Sequence, residues 1–438
     1  MKKILIALMV VVCISGFSLG AELTLDDSIN LALHDNQAVT AAQKKTEAAD
    51  AKVSQAFSAY LPELALSANY SRSYSGPMQT IFNGFPITFG IDEPANIKGW
   101  QAKFNQNLFT FGKIESSLKI ALDAARLAKE ELRKTKQDII YQVSAAYFAV
   151  IASQKMIDVA QQSVDMASAH LDQVKSMFDV GILARSNVLR SQVSLSAAQN
   201  GLIEAKNGFE IAKARFNNAI GASLKDTFEL SKKNIDLILQ YNESDYNSLL
   251  KEAMDKRPDI RISAIDLSIA NNSISMARSQ WLPSITAQGN YGWMNSDYSS
   301  NAINYSQANW TVAAVAAWTL FDGFDVSNKI KEASANLDST NASRELVKQN
   351  AELDVKQSYL KLIAAKDMIG NSKDEVASAQ ENFDVATTRF KNGLETNIDI
   401  LDAQTSLTKA QFDLLSAQFN LVLAKAQIEK ATGTSDIR

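Results

Sequence analysis

The sequence predicts a mainly α-helical fold with a small membrane β-barrel, built from one unit that occurs twice. Three observations predict it: long tracts without proline, short segments of alternating polarity, and an internal repeat. The tracts from 114 to 220 and from 325 to 438 contain no proline. Because proline removes a helix hydrogen bond and clashes with the preceding turn, such tracts can hold very long helices.

The internal repeat is a tandem duplication. Gly181 and Gly393 are 393 − 181 = 212 positions apart. The same offset pairs further residues: Leu108 with Leu320, Tyr147 with Tyr359, Gln192 with Gln404, and Gly221 with Gly433. Upstream, Pro62 matches Pro283 at an offset of 221, so the first copy carries 221 − 212 = 9 extra residues. These belong to the segment 76–99, which is predicted to be a loop.

The repeat also predicts the domain boundaries. In chain order they are a signal peptide at 1–20, a first copy at 21–221, a linker at 222–245, a second copy at 246–433 and a short tail at 434–438. The signal is predicted because Lys2 and Lys3 precede an apolar run and small residues precede Ala21. Cys13, the only cysteine, lies inside it, so the mature chain is expected to contain no disulfide.

Each copy is predicted to contain a helix, two strands, a very long helix and a further helix. The predicted helices are 25–60, 114–180 and 186–220 in the first copy, and 246–281, 326–392 and 396–432 in the second. A helix of some 67 residues spans roughly 100 Å at 1.5 Å per residue, so it must lie beside other long helices.

The last helix of each copy carries a heptad seam in which large and small residues alternate. The seam residues are Leu195, Ala198, Leu202, Ala205, Phe209, Ala212, Phe216 and Ala219, and then Leu407, Ala410, Leu414, Ala417, Leu421, Ala424, Ile428 and Ala431. A buried helix stripe explains any single position equally well. The sustained repeat favours a left-handed coiled coil.

Two glycine stretches are predicted to be the tips of helical hairpins. Gly181 and Gly393 each follow a long helical pattern, and glycine can adopt the left-handed conformation that ends a helix. A hydroxyl residue, Ser186 or Thr396, follows each glycine, and its side chain can cap the next helix.

Four segments of alternating polarity are predicted to be membrane strands. They are about 63–75, 99–109, 284–297 and 308–321. Their aromatic residues are expected at the membrane interfaces: Tyr70, Trp100, Trp293, Trp310 and Trp318. No apolar run long enough for a membrane helix follows the signal. A soluble antiparallel sheet is the alternative interpretation at this point.

A membrane sheet of four strands predicts an oligomer. Its two open edges would leave backbone groups unpaired, and lipid does not tolerate open edges. Single-chain barrels begin at about eight strands, so closure requires several copies of the chain. Three copies would give twelve strands.

Composition argues against nucleic-acid binding and catalysis. Without Lys2 and Lys3 the chain has 44 − 2 = 42 basic and 48 acidic residues, and nothing indicates the basic patch that nucleic acid requires. The two histidines, His34 and His170, lie in unrelated elements, and no phosphate-binding glycine loop is present. We therefore predict no enzyme activity, no cofactor and no metal site.

The order of these features resembles the TolC-like outer membrane efflux proteins. The residues that carry the resemblance are Leu61-Pro62 and Leu282-Pro283 before strands, Leu320-Phe321-Asp322-Gly323 after one, and Gly393-Leu394 leading into Asp399-Ile400-Leu401-Asp402-Ala403-Gln404. The resemblance implies a homotrimer with a twelve-stranded barrel in the outer membrane of a Gram-negative bacterium and a long coiled-coil α-barrel in the periplasm. It implies a passive exit duct of a tripartite efflux or type I secretion system, completed by a periplasmic adaptor, or membrane fusion protein, and an inner-membrane transporter.

The resemblance also implies functional residues. Adaptor docking is expected at the two tips: Val180, Gly181, Ile182, Asn392, Gly393, Leu394 and Thr396. A pore constriction is expected at Glu381 and Asp384, which are three residues apart and so share a helix face. An ordinary solvated face is the equally weighted alternative for this pair, and Asp399 fits a capping box with Thr396.

A soluble periplasmic coiled-coil adaptor or scaffold is the rival function. It would explain the heptads and the signal peptide. It would not explain four aromatic-rich alternating segments.

Overall fold

The computed structural model describes residues 22–90, 92–231, 245–298 and 304–435. The predicted signal peptide, most of the predicted linker and the last three residues of the predicted tail lie outside these ranges. By contacts the chain divides into two compact units. Of the described residues, we call 22–44, 130–231, 245–262 and 345–435 the hairpin unit, and 45–90, 92–129, 263–298 and 304–344 the strand unit.

Eight α-helices lie within the described ranges. In the first copy they are α1 (Leu25–Asp35), α2 (Gln37–Phe57), α3 (Lys113–Asp179) and α4 (Arg185–Ile220). In the second copy they are α5 (Tyr246–Lys256), α6 (Pro258–Ser279), α7 (Asp325–Lys391) and α8 (Asn397–Thr432). Because α3 and α7 each have 67 residues and begin 212 positions apart, the duplication and the long helices are confirmed. In the described part of the chain, no helix is sufficiently long and apolar to cross a bilayer.

The prediction of one uninterrupted helix before the strands of each copy is wrong. Asn36 is extended and separates α1 from α2, and its side chain accepts a hydrogen bond from the amide of Ala38 at 2.8 Å. In the second copy, Arg257 is extended because Pro258 follows it and disfavours the helical conformation of the preceding residue.

Six strands lie in the described part of the strand unit. They are β1 (Glu63–Ser73), β2 (Met78–Phe82), β3 (Phe85–Phe89), β4 (Ala95–Phe109), β5 (Ser284–Tyr298) and β6 (Asn304–Ala317). Four of them form an antiparallel sheet in the order β1-β4-β5-β6. The predicted sheet is therefore present, and β1 and β6 are its edges.

Two details of the strand prediction are wrong. The strand predicted at 308–321 ends at Ala317, so Trp318 lies beyond it. The chain turns here because Gly323 and Phe324 take positive φ values of 67° and 70°, and Asp322 Oδ2 accepts a hydrogen bond from an amide of α7 at 2.8 Å. The segment 76–99 is also not a plain loop, since it contains β2, β3 and the start of β4.

The sequence contains a local signal for the hairpin of β2 and β3. Asn83 and Gly84 form its two-residue turn, with φ values of 51° and 84°. An Asn-Gly pair between alternating apolar residues is a strong signal for a hairpin, because both turn positions need positive φ.

One face of the four-stranded sheet is apolar across its width. Trp100 of β4 lies opposite Trp293 of β5, and Trp310 of β6 lies opposite Tyr291. From Ile285 to Trp293 the face extends 293 − 285 = 8 residues, or about 26 Å. That is close to the height of the apolar band of membrane β-barrels. The opposite face is mainly polar and carries Ser67, Asn69, Gln101, Lys103, Asn105, Asn290 and Thr311.

Within the hairpin unit, α3 and α8 each pack against two long helices. Phe216 of α4 packs on α3, with its ring centroid 6.1 Å from that of Tyr147. On another side of α3, Gln404 Nε2 of α8 donates to the carbonyl of Ser163 at 3.1 Å. Toward α7, the residues of α8 that join a shared buried cluster are Leu421, Ala424 and Ile428, and those of α7 are Val355, Leu362 and Ala365.

The outer faces of α4 and α7 remain exposed. On α7, Leu346, Leu353 and Leu360 are spaced by seven residues and are 56%, 53% and 52% exposed. On α4, the exposed apolar residues are Leu189, Val193, Ile203 and Ile211. The hairpin unit thus has two exposed apolar helix faces, one on α4 and one on α7.

Candidate docking tips and gate

The first tip ends α3 with glycine in the left-handed conformation. Gly181 has φ +78°, and the amide of Ile182 donates to the carbonyl of Met177 at 2.8 Å. This bond satisfies a carbonyl that the end of the helix leaves unpaired. Val180 and Ile182 are 71% and 67% exposed, so the tip presents apolar side chains to solvent.

The second tip has the same geometry. Gly393 has φ +70°, and the amide of Leu394 donates to the carbonyl of Arg389 at 2.8 Å. Leu394 is 67% exposed, and Asn392 beside it is also exposed. The hairpin interpretation of both glycine stretches is confirmed, while their role in docking stays a prediction.

The two tips differ in how the following helix begins. Thr396 caps α8 through a capping box, because its amide donates to Asp399 Oδ2 at 2.9 Å and its hydroxyl accepts from the Asp399 amide. The Thr396 hydroxyl also donates to Asp399 Oδ2, and this hydrogen bond, together with the one from the Thr396 amide, lowers the pKa of the Asp399 carboxyl. The expectation that Ser186 caps α4 is wrong. The residue 212 positions before Thr396 is Ala184, which occupies the cap position and has no side-chain oxygen.

The two tips pack against each other through a small apolar core. It contains Val174 of α3 together with residues of the second hairpin: Ala386, Phe390, Ile400 and Ala403. Met177, Leu183 and Val188 of the first hairpin pack around it. The two hairpins are therefore held together at their tips by buried side chains.

A buried polar cluster lies beside this core. Asn397 Oδ1, on α8, is 2.6 Å from His170 Nε2 on α3 and 3.3 Å from Ser191 Oγ on α4. Asn397 Nδ2 donates to the carbonyl of Asn187 at 3.3 Å. We call His170, Asn187, Ser191 and Asn397 the tip clasp. Sequence reasoning missed it, because His170 and Asn397 are 227 positions apart and no motif links them.

The acidic pair lies on an exposed face of α7. Glu381 and Asp384 are both exposed, and Gln380 Nε2 donates to Asp384 Oδ1 at 3.1 Å. In the first copy, the corresponding Asp172 forms an ion pair with Lys175 at 3.7 Å. The residue of α7 equivalent to Lys175 is Thr387, so the second copy lacks this local neutralisation. The pore constriction stays a prediction.

The strand aromatics are exposed within the chain. Trp100 and Trp293 are 38% and 37% exposed, and Trp310 is 72% exposed. Tyr70 lies opposite Lys98 near one end of the sheet, while Trp318 lies beyond β6 and its Nε1 donates to the carbonyl of Trp281 at 3.0 Å. Their assignment to membrane interfaces stays a prediction. Among the described residues, no group of His, Cys, Asp or Glu side chains is placed to hold a metal ion.

Comparison with known proteins gives a family and a fold. The model of the outer membrane efflux protein family matches residues 28–222 and 249–434, which is most of the chain. The outer membrane protein TolC of Salmonella enteritidis is 24% identical over 446 residues, covering 99% of this chain and 87% of that protein. The alkaline protease secretion protein AprF of Pseudomonas aeruginosa is 22% identical over 394 residues, covering 90% and 80%.

A solved structure shares the fold. The outer membrane protein VceC of Vibrio cholerae superposes with a TM-score of 0.79 at 16% identity, covering 93% of this chain and 96% of that one. The predicted fold class, long helical hairpins with a small strand region, is therefore confirmed.

Proposed function

Because the chain belongs to the outer membrane efflux protein family, we propose that it forms the passive exit duct of a tripartite efflux or type I secretion system. Three copies form a twelve-stranded barrel in the outer membrane of a Gram-negative bacterium, and their helices form a periplasmic tunnel. The family is a transport family, and the proposed role requires no catalytic site. An inner-membrane transporter supplies the energy, and a periplasmic adaptor joins it to the duct.

The sheet carries the proposal. It has one apolar face, one polar face and two edge strands, β1 and β6. In lipid the apolar face has a favourable environment, but the edges must be paired. Pairing β6 of one copy with β1 of the next closes a barrel and directs the polar face toward a water-filled lumen.

The internal repeat supports a matching closure of the helices. Inside the chain, α3 and α8 meet along a cleft lined by Phe148 and Lys155 of α3 and by Leu415 and Gln418 of α8. The residues 212 positions away on α7 and α4 are Leu360, Asp367, Ile203 and Lys206. If α4 of a second copy packs on α7 as α8 packs on α3, Leu360 and Ile203 would line one cleft together with Asp367 and Lys206, whose charges are opposite.

The tips and the acidic pair complete the proposal. Val180, Ile182 and Leu394 offer exposed apolar contacts for an adaptor, next to the backbone turns at Gly181 and Gly393. Threefold symmetry brings three copies of Glu381 and Asp384 together near the tunnel axis. Rings of like charge would attract cations and resist close approach, which fits a selective constriction.

Membrane fractionation followed by planar-bilayer recording tests the proposal. The duct should be recovered with outer membranes, and the purified protein should conduct ions. Recovery in the soluble periplasm would instead favour an adaptor or scaffold. A well-folded trimer that never conducts would contradict the duct.

A further inference from the structure

The tip clasp joins the two hairpins through one side chain. Asn397 belongs to the second hairpin, while its three partners His170, Ser191 and Asn187 belong to the first. The equivalents of His170 and Asn397 in the other copy are Asn382 and Arg185, so the arrangement is not repeated at the equivalent positions.

The hydrogen-bond directions fix which ring nitrogen of neutral His170 carries the proton. Asn397 Nδ2 donates to the Asn187 carbonyl, so Oδ1 faces His170 and can only accept. His170 Nε2 therefore donates, and in the neutral ring Nδ1 carries no proton. His170 and Asn397 are only 7% and 3% exposed, and the imidazole packs on Phe390 with ring centroids 5.4 Å apart.

This environment disfavours a positively charged ring. Burial lowers the pKa of the His170 imidazole, while the hydrogen bond with Asn397 opposes that shift. In the described part of the chain, no carboxylate forms an ion pair with His170. A second proton would thus place an uncompensated charge next to an apolar core, which is costly.

The charged groups near the clasp on each helix do not supply a counterion. On α3, Asp172 forms an ion pair with Lys175, and on α8, Asp399 is held by Thr396. On α7, Arg389 beside Phe390 forms an ion pair with Glu395 at 2.6 Å. The charge of α4 next to Ser191 is that of Arg190, which would repel an imidazolium.

We propose that His170 and Asn397 are positioning residues that hold the second hairpin against the first, and that protonation of His170 releases this contact so that the tips separate. One consequence of this release, that separated tips widen the duct, rests on the proposed function. Release moves α7, which carries Glu381 and Asp384.

The direction of the pH response follows from linkage. The pKa of His170 is lower when the tips are packed than when they are separated, so the neutral imidazole favours the packed tips. The contact is therefore fully stable above the ordinary histidine pKa of about 6.5 and weakens as pH falls below it. A difference of one pKa unit between packed and separated tips changes their ratio by up to about tenfold.

Spin labels on opposite hairpins test the release directly. The predicted mature chain has no cysteine, so Ser186→Cys and Lys391→Cys would label α4 and α7 uniquely. Distances between the labels should widen as pH is lowered from about 7.5 to about 5. In a His170→Gln background they should stay constant, because glutamine can donate to Asn397 but does not titrate in this range. His34→Gln is the matched control, since His34 is exposed and should leave the response intact.

Conductance in planar bilayers provides the functional readout. Open probability of the wild type and His34→Gln should rise about tenfold over this pH range for a pKa difference of one unit, whereas His170→Gln should give a flat profile. Constant label distances in the wild type, or widening that persists in His170→Gln, would overturn the proposal. Widening without any conductance would instead support the clasp and contradict the exit duct.

Discussion

α4 and α8 are the same element in the two copies, yet the chain buries them differently. Along α8 every seam residue except Leu414 is buried. Along α4 only Ala212 and Phe216 are buried among the seam positions. Because both helices carry the same seam pattern, the difference in burial comes from the helices that pack against them. α8 lies between α3 and α7, whereas α4 has an uncovered side.

The long helices α3 and α7 show the reverse arrangement. Phe148 of α3 is 7% exposed because α8 covers it, while its equivalent on α7, Leu360, is 52% exposed. The first copy therefore has its exposed helix at α4 and the second at α7. The exposed apolar faces of α4 and α7, and the edge strands β1 and β6, are the surfaces that the proposed closure of several copies would cover.

The largest expected effect is a cavity in the buried seam. Leu407 is 1% exposed, so Leu407→Ala should lower the free energy of unfolding by about 2–5 kcal/mol. The matched variant Leu195→Ala should cost less in the unassembled chain, because Leu195 is only half-buried within one chain. Thermal unfolding followed by circular dichroism measures both. Equal losses would show that assembly covers α4 as fully as α8.

A charge reversal tests how α4 and α7 of different copies meet. Asp367→Lys should lower the fraction of trimer, because it would face Lys206 of another copy with like charge. Adding Lys206→Asp should restore the trimer by reversing both charges. Size-exclusion chromatography with light scattering in detergent measures the fraction. A trimer unaffected by Asp367→Lys would contradict this pairing and leave the duct itself standing.

The helix caps provide a smaller, reciprocal test of the two tips. Thr396→Ala should destabilise the start of α8 by about 1 kcal/mol, and Ala184→Thr should stabilise α4, because Ala184 already has an extended cap conformation.

The contribution of the Thr396 cap should also depend on pH. The pKa of Asp399 is lowered in the folded protein, so this carboxyl contributes stability above its ordinary pKa and loses it as pH falls through the folded value. Unfolding measured at neutral and acidic pH should therefore show a smaller effect of Thr396→Ala in acid. An equal effect at both pH values would argue against the Asp399 contribution.

The smallest expected effect concerns ion selectivity. Glu381→Ala combined with Asp384→Ala should weaken cation preference or raise conductance, because two rings of negative charge would be removed. Asp172→Ala is the matched control, since Asp172 is already paired with Lys175. Unchanged selectivity and conductance in planar bilayers would remove the pair from the gate.

Much of the fold could be predicted because it depends on local patterns. Proline-free tracts, the 212-residue offset and period-two strands identified the long helices and the four-stranded sheet. The Asn83-Gly84 turn is also a local sequence signal. The cap of α4 lies two residues before Ser186, at Ala184, whose side chain has no oxygen to mark it. The tip clasp could not be predicted, because only packing of the two hairpins brings His170 and Asn397 together. The roles of Glu381 and Asp384 depend on other copies of the chain in the same way.

Native mass spectrometry of the detergent-extracted protein most directly tests whether the chain is one third of a closed duct. Three chains per particle are predicted, because three sheets of four strands close a barrel and three pairs of helical hairpins close a tunnel. Particles of one or two chains, stable without further association, would contradict threefold closure.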